Sequence, residues 1–240
     1  MEILAIALLA FFAFGSLTLA GGDAGVGMLL PWLGRSRTER RTVIAAFGPF
    51  FLADEVWLVA LAGILVGAFP GLEHELFFGQ RTAFVVLLAG WIVRDAGLWW
   101  RSRVDSPRWA AGCDGMIFVG SWTFALALGQ ILGALLGNRL LAPFLTLLFA
   151  FHGAGFCARR LTGVLRDRAA RLGRYWVSTF ALGAVTVVAG VRLDLEAMLA
   201  EPATLKVVTV FVTALLPLLI GAQALTRWAF RGRATGPGYL

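Results

Sequence analysis

Apolar residues in this chain come in long uninterrupted blocks. They do not alternate with polar ones, and they do not form narrow stripes on otherwise polar helices. Seven blocks stand out, at about residues 3–33, 43–70, 80–100, 113–137, 140–160, 173–191 and 205–229. Each holds roughly 20 residues or more, enough to cross a hydrocarbon layer about 30 Å thick. Inside that layer a backbone can satisfy its polar groups only with itself, so each block is predicted to be a helix. The weak alternation of outer-membrane barrel strands is absent. The pattern therefore predicts an all-α, polytopic transmembrane bundle of about seven spans. The first block lacks a basic leader, since Glu2 is the only early charge, and its apolar run continues past Gly22. It is read as a true span rather than a cleaved signal peptide.

Composition agrees with that reading. The chain has 240 residues, of which 59% are hydrophobic and only 15% charged, and its mean hydropathy is +0.81. A soluble domain carries about 25% charged residues. The formal charge of +7 comes almost wholly from arginine, because Lys206 is the single lysine. The arginines lie between the apolar blocks, so they point to membrane topology and no nucleic-acid partner is expected.

Their placement is lopsided. The first connection holds Arg35, Arg37, Arg40 and Arg41; the third Arg101, Arg103 and Arg108; the fifth six arginines from Arg159 to Arg174; the tail Arg227, Arg231 and Arg233. The alternate connections hold only Arg81, Arg139, Arg192 and Lys206. Basic loops stay cytoplasmic, which predicts an N-terminus outside and a C-terminus inside. An odd number of spans requires the same arrangement. Trp32, Trp99, Trp100 and Trp228 sit near span ends, where an aromatic belt is expected.

Polar residues inside the blocks are the candidates for chemistry. A charge at the centre of a span costs about 2.5–3.5 kcal/mol on insertion scales. Asp23, Asp54, Glu55, Arg94, Asp95 and Asp114 fall in this class. Asp54 and Glu55 are adjacent and point about 100° apart on a helix, so they address different neighbours. Arg94 is expected to pair with a carboxylate on another helix. Two readings stay open for the set: buried ion pairs that orient helices, or a proton path. His152 is the one intramembrane histidine, too few for a bis-histidine haem, and is expected to hydrogen-bond between helices. Cys113 and Cys157 belong to no metal motif and are read as small core residues. Small residues at 21–27, and at Gly129, Gly133 and Gly137, predict close helix packing.

Several strings resemble one family. GDAGVGMLLP at 22–31, followed by GRSRTERR, resembles the opening signature GFDLGVGML and its Arg-rich turn in subunit II of cytochrome bd-type quinol oxidases. GPFFLADEVW at 48–57 resembles that family's GP-x-W-x-x-NEVW, and GILVGAFP at 63–70 its G-x-L-F-A-A-F-P. The two arginines of IVRDAGLWWR, the string from Asp114 to Ser121, HGAGFCARRLTGVLRDRA at 152–169 and the closing RWAFRGR follow in the family's order. Gly25, Gly27, Pro49, Trp57 and His152 are the positions that carry the motifs.

The resemblance implies a chain that binds no haem itself and packs beside a haem-bearing subunit I. That partner would hold haems b558, b595 and d, with quinol as the substrate of the complex and dioxygen reduced to water. A small single-span subunit is a further expected partner, and the bacterial cytoplasmic membrane the expected location. Two bundles are expected, a four-helix one over 1–138 with the motifs and a shortened one over 139–240, with a helix pair missing near 190–205. The sequence also departs from the pattern. Phe51 and Leu52 stand where the family has Trp-Asp, Asp54 where it has Asn, Gly22 where it has an aromatic and Trp99 where it has an acid. The carboxylate linked to proton delivery is thus missing from its usual position. A diverged transporter or an assembly scaffold is the alternative; it would act alone in liposomes, whereas an oxidase subunit would not.

Overall fold

The computed structural model describes residues 1–236. Ten α-helices follow one another: α1 Glu2–Leu33, α2 Arg37–Phe47, α3 Phe51–Ala68, α4 Pro70–Gly79, α5 Arg81–Trp100, α6 Pro107–Leu135, α7 Ala142–Arg160, α8 Gly163–Leu172, α9 Tyr175–Arg192 and α10 Pro202–Ala229. A 3-10 turn at Arg139–Leu141 leads into α7. Among the described residues there is no strand, only one parallel bridge from Leu161 to Ala234. Seven helices are long and apolar enough to cross a membrane: α1, α3, α5, α6, α7 with its preceding turn, α9 and α10.

The number of spans is as predicted, but the second differs. The apolar block at 43–70 is not one helix. It breaks at Gly48–Phe50, because Pro49 has no N–H to donate and its ring crowds the preceding turn. The piece before the break belongs to α2, and the spanning piece is α3 alone, 18 residues long. Two expected loops are also helical. Pro70 opens α4, and the arginine-rich fifth connection contains α8. The fourth span starts earlier than the apolar block does, since Pro107 sits in the first turn of α6, where its fixed φ suits a helix start.

Helix α2 begins with reciprocal capping. The Ser36 hydroxyl accepts the Glu39 N–H at 3.1 Å, and the Glu39 carboxylate accepts the Arg35 N–H at 2.7 Å, which satisfies donors that a helix start leaves free. Arg168 of α8 donates to the same carboxylate at 2.8 Å and to the Leu33 carbonyl at 2.9 Å. Arg37 reaches Asp105 at 3.0 Å in the α5–α6 connection. These bonds gather the ends of α1, α5 and α7 at one arginine-rich end of the molecule.

Helix α1 is the centre of the bundle, and α3, α6, α7 and α9 pack around it. Glycines on α1 make this possible. A Cβ on Gly15 would lie 2.1 Å from the Trp57 ring, one on Gly25 1.9 Å from the Phe149 carbonyl oxygen, and one on Gly27 2.0 Å from the Ser121 hydroxyl. On α7, a Cβ at Gly153 would strike the Gly25 backbone at 2.2 Å. Lipid tails are as apolar as the helix surfaces, so close van der Waals packing of this kind drives association in place of the hydrophobic effect. Helices α5 and α6 meet in the same way through Gly90, Gly97 and Gly120. Gly129 lets α6 approach Thr146 and the Ala142 carbonyl of α7, and Gly137 ends the α6 region with a positive φ of 67°. The outer faces of α5, α9 and α10 carry exposed apolar side chains such as Ile92, Phe180 and Leu218, as lipid-facing surfaces should.

Gly25→Ala should lower the thermal stability of the detergent-solubilised protein by about 1–3 kcal/mol, the usual cost of overpacking. Gly63→Ala and Gly115→Ala, where an added Cβ meets nothing within 4 Å, should leave it unchanged. Equal melting curves for all three would contradict the packing described. The Glu39 carboxyl is held below its ordinary value, first by the Arg168 hydrogen bond and then by the Arg35 N–H. A carboxyl lowered on folding stabilises the fold above the unfolded value, and this is lost as pH falls through the lowered folded one. Glu39→Gln should therefore flatten the melting-temperature curve below about pH 4.5 and weaken the fold slightly at neutral pH.

Candidate functional site

The intramembrane charges form two clusters, both built where helices cross closely. The larger one is organised by α3. Asp54 and Glu55 diverge around the helix, so Asp54 faces α10 and Glu55 faces α5. Gln223 Nε2 donates to Asp54 at 2.5 Å, and the Arg227 guanidinium lies 3.5 Å away. Trp57, one turn along, donates its indole N–H to the Gln223 carbonyl oxygen at 3.3 Å. One amide thus joins the motif tryptophan Trp57 and the neighbouring acid Asp54 to the last span.

Glu55 is bonded to Arg94 and accepts the Trp91 indole N–H at 2.8 Å. Arg94 is almost entirely buried, at 1% exposure, and also pairs with Asp95 at 2.8 Å. Its guanidinium lies 5.7 Å from the Phe124 ring centre. Burial this deep needs α6 close by. A Cβ on Gly120 would come within 2.4 Å of the Arg94 backbone nitrogen. Asp23 of α1 is equally buried and lies near enough to Asp54, Glu55, Arg94 and Arg227 for their charges to act on it. Its Oδ2 has no hydrogen-bond partner, nor has Arg94 Nη1. The cluster therefore sets four carboxylates against two guanidiniums.

The second cluster lies at the arginine-rich end. Asp114 of α6 accepts from Arg101, just past α5, at 2.6 Å and from Arg40 of α2 at 3.3 Å. Asp114 thus ties an interfacial helix to two spans.

The structure brings Asp23, Asp54, Glu55, Arg94 and Asp95 together and leaves Asp114 apart with its own arginines. Sequence reading missed Gln223, Trp91 and the Arg40–Arg101 clamp. Gln223 and Arg227 are four apart on one face of α10, and an amide in so apolar a block was the available signal. The other motif positions are structural. Gly25 and Gly27 are helix contacts, Pro49 is the break before α3, and Trp57 packs on Gly15.

His152 is fully buried between helices. Its Nδ1 meets the Ser178 hydroxyl of α9 at 2.7 Å, and its Nε2 meets the Thr18 carbonyl of α1 at 2.9 Å. Both ring nitrogens are therefore engaged within the fold. Among the described residues no group of three His, Cys, Asp or Glu side chains could hold a metal ion. Cys113 and Cys157 are buried free thiols.

Comparison with known proteins places this arrangement. The family model described as cytochrome bd terminal oxidase subunit II matches residues 1–199. The chain belongs to the cytochrome bd terminal oxidase subunit II family. Cytochrome bd-I ubiquinol oxidase subunit 2 of Escherichia coli (strain K12) is 38% identical over 116 residues, covering 48% of this chain and 31% of that protein. The probable cytochrome oxidase subunit 2 of Haemophilus influenzae is 31% identical over 174 residues, or 62% and 46% of the two chains. Cytochrome bd ubiquinol oxidase subunit 2 of Bacillus subtilis is 30% identical over 188 residues, or 70% and 56%. The chain thus spans between about a third and just over half the length of these relatives. The matched region holds α1 to α9; α10, which supplies Gln223 and Arg227, follows it.

Arg94→Leu would leave Glu55 and Asp95 without their cation, and Asp114→Leu would strand Arg101 in the same way. Breaking a buried pair from one side costs about 3–5 kcal/mol. Each variant should therefore give a clearly reduced yield of folded protein on size-exclusion chromatography. Wild-type yield from both would show that these charges are not buried partners.

Proposed function

We propose that this chain is the haem-free subunit II of a bd-type terminal quinol:oxygen oxidoreductase. It sits in the bacterial cytoplasmic membrane beside a haem-bearing subunit I that oxidises quinol and reduces dioxygen to water. The observation that carries the reading is the cluster on α3. The string that resembles the family's GP-x-W-x-x-NEVW supplies Asp54, Glu55 and Trp57, and all three engage buried polar partners on neighbouring spans. Charges are kept inside a membrane chiefly where they line ion or proton routes or pair with one another. Here carboxylates outnumber arginines, and Glu55 is the residue proposed to exchange protons. Membership of the family supports the assignment to a complex.

The proposed orientation has the arginine-rich end in the cytoplasm, the N-terminus outside and the C-terminus inside. The motif-bearing bundle spans 1–138 and the smaller one 139–240. Haems b558, b595 and d belong to subunit I in this reading, and a small single-span subunit is a further partner.

Affinity purification of the tagged chain in mild detergent should recover a second subunit with haem absorption bands. Recovery of the chain alone, free of haem, would overturn the reading. Glu55→Gln keeps the hydrogen-bonding shape but cannot take up a proton. It should reduce quinol-dependent oxygen consumption by roughly 10²-fold or more, within the range expected for a positioned proton-transfer group, while the haem spectrum stays intact. Full turnover by this variant would remove Glu55 from any proton route.

A further inference from the structure

The arginine-rich end carries a cleft that the charge clusters do not use. It has a volume of about 440 Å³ and lies between the α2–α3 break, the end of α7 and the segment after α10. Its walls include Ala45, Pro49, Phe230, Arg160, Arg233 and Thr235. Among the described residues no carboxylate lines it.

The segment after α10 builds the cleft by folding back. The Ala234 N–H donates to the Arg160 carbonyl at 2.8 Å, and Arg160 Nη2 donates to the Phe230 carbonyl at 2.7 Å. The guanidinium rests on the Phe50 ring at 4.7 Å, and Phe50 packs edge-on against Phe230. These contacts fix Arg160 in place but leave its Nε buried without a partner. Arg227 also lies over Phe50, at 5.7 Å, and Arg231 lies over Trp228. Arg160 and Arg233 are the two arginines among the cleft walls, and Asp54 is turned towards Gln223 and Arg227.

The Arg160 guanidinium, the Arg233 side chain and the Thr235 hydroxyl all line this cleft, and such a set of donors suits the oxygens of a phosphate group. The depth narrows the source. The cleft lies at the ends of α7 and α10 and the start of α3, all of them spanning helices, so it sits at the level of lipid headgroups. Its apolar wall of Ala45, Pro49 and Phe230 suits the glycerol and first methylenes of a lipid better than a free ion. We propose that this cleft binds the phosphate of an anionic phospholipid, with Arg160 and Arg233 as its clamp. The lipid would then link the kink before α3 to the segment after α10. The site does not depend on the oxidase reading, because its ligand and its residues are separate from the α3 cluster.

The test is native mass spectrometry of the delipidated protein, purified with whatever subunits accompany it and titrated with phosphatidylglycerol or phosphatidylcholine. Wild type should retain one tightly held phosphatidylglycerol and no comparable phosphatidylcholine. Arg233→Gln, which removes no contact seen among the described residues, should weaken that retention roughly tenfold, as expected for the loss of one charge-assisted hydrogen bond. Arg108→Gln, an exposed arginine of the same end outside the cleft, should leave it unchanged. Equal retention of the two lipids would overturn the proposal, as would equal weakening by both substitutions. Competition by millimolar inorganic phosphate that fully displaces the lipid would assign the site to a soluble anion and overturn the lipid source.

Discussion

Arg94 is the side chain around which the interior must be arranged. A guanidinium cannot be neutralised at any physiological pH, so a buried one demands anionic partners and a close, polar surrounding. Glu55 of α3 and Asp95 of its own helix supply the charge. That requirement fixes how α3 lies against α5, because Glu55 reaches α5 only if its neighbour Asp54 faces α10. The same rotation places Trp57 on Gly15 of α1 and its indole N–H on Gln223. One buried charge thus sets the rotation of α3 and, through it, the seat of the last span.

Charge pairing alone does not bring helices close enough. The glycines of α1, α5, α6 and α7 do, by letting backbone meet backbone or side chain at contact distance. Packing and electrostatics are therefore coupled here. If α5 and α6 separated, Arg94 would be reached by lipid. If Glu55 lost its cation, a buried carboxylate would have to be solvated. His152 plays the neutral version of the same part by joining α1, α7 and α9 through two hydrogen bonds.

Much of this was legible in the sequence because bilayer physics leaves few choices. Block length predicted seven spans, and seven helices qualify. Burial of a charge predicted a partner for Arg94, and an acid on another helix is there. His152, the intramembrane histidine, hydrogen-bonds between helices. What was not legible followed from local chemistry that hydropathy does not see. Pro49 breaks an apolar block that reads as continuous, and Ser36 with Glu39 caps a helix inside an arginine-rich stretch. Gln223 was overlooked because an uncharged amide hardly disturbs an apolar average, yet it joins Trp57 and Asp54. The pairing of Asp114 with Arg40 and Arg101 depended on where α2 lies, and that in turn depended on the unforeseen break.

The claim that matched buried charges set the interior is tested most directly by a double-substitution cycle at Arg94 and Glu55. Thermal stability would be compared for Arg94→Leu, Glu55→Leu and the pair together. If the two charges compensate each other, the double variant will be more stable than the sum of the single losses predicts, by at least 1 kcal/mol or so, within the range seen for contacting residues. Strictly additive losses would contradict the account, because they would mean that Arg94 and Glu55 are buried independently of one another.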